Sequence, residues 1–155
     1  MNTTIGLSIK ESKELSEKLN VLLANFQLYY QNLRGLHWNI KGRNFFELHL
    51  KFEELYTDAQ EKVDLIAERI LTLEEIPLHT FSDYLALSEI KIGKNVRKDD
   101  EAVALIVSVL AALLKIERTI LELSDKAGDE GTNAMMSDFI AEQEKTVWMF
   151  KAWLA

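Results

Sequence analysis

The chain has 155 residues, no cysteine, one proline, six glycines and a formal net charge of −7. A chain of this length forms one domain that buries roughly 70% of its unfolded surface without disulfide staples. The acidic balance argues against nucleic acid as the main partner, because phosphate binding needs a basic surface.

Residues 1–7 read as a short flexible tail. The opening MNTTIGLSIK lacks the apolar centre of a secretory leader, and the longest apolar run, Ala102 to Leu114, is too short to span a bilayer. With no cysteine to oxidise, a cytoplasmic location is expected. Ser8 and Glu11 have the spacing of a capping box. Leu15, Leu19, Leu22, Phe26, Tyr29, Leu33 and Leu36 then recur every three or four residues, which predicts a helix over 9–37. Asn39 to Asn44 contains Gly42 and reads as a tight connection, so the next helix is an antiparallel neighbour.

That second helix carries Phe45, Leu48, Phe52, Leu55, Ala59, Val63, Ile66, Ile70 and Leu73, and Pro77 is expected to stop it. Residues 76–98 break the rhythm and read as a long connection with a turn or two of helix over Ser82 to Glu89. Asp99, Asp100 and Glu101 mark the N-terminus of a third long helix, and Lys126 and Gly128 mark its end. A GDEG loop leads to a fourth, with Met136, Phe139, Ile140, Val147, Phe150 and Leu154 on its apolar face. No stretch shows strand-like alternation and no segment repeats. The expected fold is an all-α, ferritin-like four-helix bundle over residues 1–155, with a short helix inside its long crossover.

The chemistry concentrates between His37 and Glu68. His49 and Glu53 are four residues apart, and so are Asp64 and Glu68, so each pair shares one helix face. Imidazole and carboxylate on adjacent turns are how helical bundles hold a transition metal. Yet fifteen residues separate His49 from Asp64, about 22 Å along a helix, whereas metal–ligand bonds are roughly 2 Å. Two readings remain. Either the pairs are separate and mostly structural, or a second copy of the helix lies antiparallel across a two-fold axis and completes two metal sites per dimer. We favour the second. The usual intrasubunit di-iron centre, built on two Glu-x-x-His motifs, is not expected, because no histidine here has a glutamate three residues before it. Glu54, Asp58, Glu61 and Lys62 read as a solvated face, and His79 as a loop residue.

The set His37-Trp38-Asn39, Gly42, Asn44-Phe45-Phe46, His49, Asp64 and Glu68 resembles the Dps family, the miniferritins. The helix order and the WMFKAWL ending are similar too, so the likeness covers nearly the whole chain. The resemblance implies a ferroxidase centre for iron (Fe2+/Fe3+) between two-fold-related subunits, with hydrogen peroxide as oxidant. His37, His49 and Glu53 would come from one subunit, and Asp64 and Glu68 from the other. It also implies a hollow dodecamer that stores ferric mineral. Glu53 departs from the family, which most often has aspartate there. Trp38 matches an aromatic beside the centre. Asp125 and Glu130 are candidates for pore linings. Some family members bind DNA through a lysine-rich tail. Here the first nine residues hold no lysine or arginine, so tight DNA binding at physiological salt is not expected. The rival readings are a DNA-compacting stress protein with secondary iron chemistry, and a metal-free helical interaction module.

Overall fold

The Ser8 hydroxyl accepts a hydrogen bond from the Glu11 amide, at 3.3 Å, and starts the first helix. The computed structural model describes residues 1–155 and holds five helices: α1 (Ile9–Asn39), α2 (Phe45–Thr72), α3 (Phe81–Leu87), α4 (Asp99–Ala127) and α5 (Glu130–Leu154). The protein is therefore all-α, with four long helices and one short helix in the crossover, as the apolar rhythm predicts. None of the helices is long and apolar enough to cross a membrane.

Helix α1 packs on α2 and on α4, and α4 packs on α5. Phe26, Phe52, Leu19, Leu22, Leu33, Ile66 and Ile70 interlock at the centre with essentially no exposure. Each such side chain contributes about 1.5–3 kcal/mol of burial. The Lys41 amide donates to the Arg97 carbonyl at 2.9 Å, which ties the α1–α2 turn to the start of α4. The crossover thus carries the chain from one end of the bundle to the other.

Three asparagines of α1 hold that crossover in place. Asn20 bonds the backbone of Ile76 and Leu78. Asn25 accepts from the amides of Glu89 and Ile90. Asn32 bonds Lys91 and Gly93. A β-carbon on Gly93 would come within 2.7 Å of the Leu105 Cδ2 methyl, so any larger residue there makes that side chain shift.

The boundaries differ from expectation in places that have local causes. Helix α2 ends at Thr72, five residues before Pro77. Glu74 takes a left-handed backbone (φ 67), and the Glu75 amide turns back to the Ile70 carbonyl, so the helix closes itself before the proline is reached. The GDEG segment is shorter as a loop than it reads. Asp129 caps α5 by accepting from the Thr132 amide, so Glu130 and Gly131 are already helical. Residues 1–7, read as a flexible tail, form a hydrogen-bonded turn. Thr3 bonds Leu7, Asn2 pairs with Ser8, and the Thr4 amide donates to the Glu74 carboxylate at 2.9 Å.

Candidate metal centre

His37 lies in the last turn of α1 and His49 in the second turn of α2. The tight turn between them brings the two rings face to face, with centroids 3.7 Å apart and planes within 10°. Nδ1 of His37 lies 2.6 Å from the His49 carbonyl oxygen, and Nδ1 of His49 lies 2.7 Å from the His37 carbonyl oxygen. A carbonyl can only accept, so each Nδ1 carries the proton and donates it. Both rings are therefore held in the tautomer that leaves Nε2 with a free lone pair. This is the arrangement of a metal-ligating imidazole, whose remote nitrogen is fixed by a backbone carbonyl.

Aromatic side chains brace the pair. Phe45 stacks on His49 at 4.9 Å, and Tyr56 meets His37 edge-on at 5.4 Å. Glu53, one turn beyond His49, places Oε1 3.9 Å from Nε2 of His37. The longer glutamate arm thus reaches the imidazole edge while half of the side chain stays in solvent.

Asp64 and Glu68 do not join them. Both are exposed further along α2, and neither takes part in an ion pair. Nowhere in the chain do three His, Asp or Glu side chains converge on one point where a metal could sit. Phe46, Leu50, Glu53, Thr57, Glu61, Asp64 and Glu68 follow one another at spacings of three and four and are all exposed, so they form one stripe of α2. Its first turns are apolar, with Phe46 80% and Leu50 63% exposed, and Trp38 near the end of α1 is exposed as well. Phe81 and Leu85 of α3 add further uncovered apolar surface.

The remaining candidates stay apart. Asp125 and Glu130 are exposed at the α4–α5 connection, where the neighbouring Asp129 instead pairs with Arg69 at 2.6 Å. His79 is exposed in the crossover and bonds only the Pro77 carbonyl.

A second polar group lies inside the bundle, and the motif reading passes it by. Lys62, read as part of a solvated face, is buried. Its ammonium bonds the carboxylates of Asp58 and of Glu142, the latter at 2.7 Å. Glu117 is fully buried, and the Gln143 amide donates to both of its oxygens at 2.6 and 2.7 Å. Burial pushes the Glu117 carboxyl up to about 8, against the opposing pull of Gln143, Lys62 and Arg118. Burial likewise drives the Tyr29 hydroxyl upward, helped by the charges of Asp58 and Glu117. Burial works against the Lys62 ammonium, but its bonds to Asp58 and Glu142 outweigh that and raise its pKa. The signal was in the pattern. Leu113, Glu117 and Ile120 continue one apolar stripe, as do Ala59, Lys62 and Ile66, and Phe139, Gln143 and Val147.

Five helices in this order, with a pair of poised imidazoles at the α1–α2 turn, define a ferritin-like protein. The family model for the ferritin-like domain matches residues 16–155. Among solved structures, a Dps protein from Vibrio cholerae O1, described as a member of a broad superfamily of ferritin-like diiron-carboxylate proteins, superposes with a TM-score of 0.98 at 51% identity, covering 99% of this chain and 97% of that one. A DNA protection during starvation protein of Porphyromonas gingivalis is 40% identical over 96% of this chain and 93% of its own. A Listeria innocua Dps variant, two of whose histidines twelve positions apart are replaced by glycine, matches with a TM-score of 0.87 at 32% identity, covering 90% of this chain and 93% of that one. The chain belongs to the Dps family of miniferritins.

Proposed function

We infer that this protein takes up Fe(II), oxidises it with hydrogen peroxide at sites shared between subunits, and stores the ferric product inside a hollow, twelve-subunit cage. Iron is the substrate and cargo. The observation that carries this reading is the double tautomer lock. Both imidazoles present a free Nε2 beside Glu53, while Asp64 and Glu68 on the same exposed stripe have no partner within the chain. A second copy of α2 running antiparallel across a two-fold axis supplies what is missing. His37, His49 and Glu53 of one subunit then face Asp64 and Glu68 of the partner subunit. The uncovered Phe46, Leu50, Trp38 and Phe81 fit an interface of that kind.

The donor set suits the substrate. Mixed imidazole and carboxylate ligands accept Fe(II), and the carboxylates stabilise Fe(III). Peroxide takes two electrons. Two Fe(II) give one each, and two protons complete the change to two Fe(III) and two waters, so no hydroxyl radical is released. The excess of carboxylates, net −7 per subunit, draws cations toward the shell. His37 and His49 also have the same separation as the two histidines exchanged in the Listeria innocua variant.

Anaerobic Fe(II) titration followed by peroxide tests the reading. Rapid oxidation at two irons per peroxide supports it. Oxidation at the rate of free Fe(II) in buffer removes it.

A further inference from the structure

Two tyrosine rings run outward from the histidine pair and take no part in the iron chemistry described so far. Tyr30 stands seven residues before His37 on α1, and Tyr56 stands seven residues after His49 on α2. Two helical turns put each tyrosine on the face of its histidine, and the packing of α1 on α2 brings the rings together. Tyr56 meets His37 edge-on with centroids 5.4 Å apart, and Tyr30 meets Tyr56 edge-on at 5.8 Å. Both tyrosines are half-buried, and neither hydroxyl is sealed from solvent. The Arg34 guanidinium lies over the Tyr30 ring at 5.4 Å and over the Trp38 ring at 4.8 Å, and it enters no ion pair. No cation lies over Tyr56.

We propose that Tyr56 is a spare electron donor to the iron site, used when hydrogen peroxide meets a centre that holds one Fe(II) instead of two. The inference rests on the ferroxidase reading above. A lone Fe(II) supplies one electron, and peroxide reduced by one electron releases hydroxyl radical. Tyr56 supplies the second electron through the His37 ring that it touches. One Fe(II), one tyrosine, one hydrogen peroxide and one proton from solvent become one Fe(III), one neutral tyrosyl radical and two waters. The phenol loses an electron and its own proton, the O–O bond breaks, and both oxygens leave as water. A later Fe(II) returns the electron, and the phenol takes back a proton. Charge selects Tyr56 among its neighbours. A cation over an aromatic face holds that ring's electrons more tightly. Arg34 therefore makes Tyr30 and Trp38 harder to oxidise and leaves Tyr56 the easiest of the three.

The test loads the assembled protein anaerobically with one Fe(II) per subunit, adds one peroxide per iron, and freezes the mixture within milliseconds for electron paramagnetic resonance. The parent shows an organic radical whose signal narrows when the protein is made with ring-deuterated tyrosine. Tyr56→Phe loses that signal and releases hydroxyl radical, caught by a spin trap. Tyr30→Phe keeps the signal. Arg34→Gln removes the cation and spreads the radical onto tryptophan, seen as a component that tyrosine deuteration does not narrow. Fluorotyrosine placed at residue 56 alone, which changes the splitting of the signal, serves where Tyr56→Phe does not assemble. A parent without a protein radical, or a radical that persists in Tyr56→Phe, overturns the proposal. So does an Arg34→Gln signal no different from the parent's, since Arg34 is what singles Tyr56 out. The parent loaded with two Fe(II) per subunit decides the ferroxidase reading separately. Fast oxidation there, with no radical at half load, sinks only the role of Tyr56, whereas slow oxidation at both loads removes both readings.

Discussion

Two polar regions of this bundle are built from the same residue types and are left in opposite states. Inside, Lys62 is bonded by Asp58 and Glu142, and Glu117 by Gln143, so that of these five side chains only the Gln143 oxygen lacks a partner. At the rim, His37 and His49 spend one nitrogen each on backbone carbonyls and leave the other free, and Asp64 and Glu68 have no partner at all. Polar groups that are satisfied at home contribute to the fold. Groups held rigid but unsatisfied are available to something from outside. The difference separates a structural charge cluster from a candidate site within one molecule.

The largest expected effect falls at the rim. His49→Ala or Asp64→Ala should slow peroxide-driven Fe(II) oxidation by about 100-fold or more, with helical circular dichroism and particle size unchanged. Parent-like rates in both variants would erase the distinction between the two regions. Inside, Lys62→Ala should act on stability. Breaking a buried ion pair costs about 3–5 kcal/mol, but Asp58 and Glu142 are at least half exposed. A loss of about 2 kcal/mol in denaturant unfolding is expected after that discount.

Glu117 gives the interior a pH signature. Its carboxyl is raised in the folded state from 4.5 to about 8, so its contribution is whole below pH 4.5 and fades as pH climbs to about 8. Over that window the folded state loses up to about 1.4 kcal/mol per pH unit from this group. Glu117→Gln keeps the position neutral and should flatten the fall of the thermal midpoint between pH 6 and 8. An unchanged slope would mean that Glu117 is already ionised in the fold.

The smallest effect concerns DNA. The α1–α2 turn and the segment before α4 gather Lys41, Arg43, Lys91, Lys94, Arg97 and Lys98 at one end, and none of them is ion-paired. Six cations on a subunit of net charge −7 should retain DNA weakly at low salt and release it at physiological salt. A gel shift that persists at physiological salt would instead favour the DNA-compacting reading.

The rim was legible in the sequence because its signal is local. His49, Glu53, Asp64 and Glu68 lie on one helix, and helical spacing alone puts them on a shared stripe. The fold was legible for the same reason, through apolar rhythm and end signals. The crossover ties escaped, since an asparagine such as Asn25 gives no hint that it will bond a backbone 64 residues away. Lys62 was misread because its sequence neighbours, Asp58 and Glu61, are those of a solvated face, while Glu142 is 80 residues distant. Only its place on the Ala59–Ile66 apolar stripe marked it as interior. The tautomers of the two histidines could not be read at all, because they depend on carbonyls brought across a turn.

Co-expression of two inactive variants, His49→Ala and Asp64→Ala, tests the shared site most directly. Random pairing across a two-fold axis makes half the pairs mixed, and each mixed pair has one centre carrying both changes and one carrying neither. About a quarter of the parent's fast oxidation should return. If the mixed assembly stays as inactive as either variant alone, the ligands do not come from two subunits.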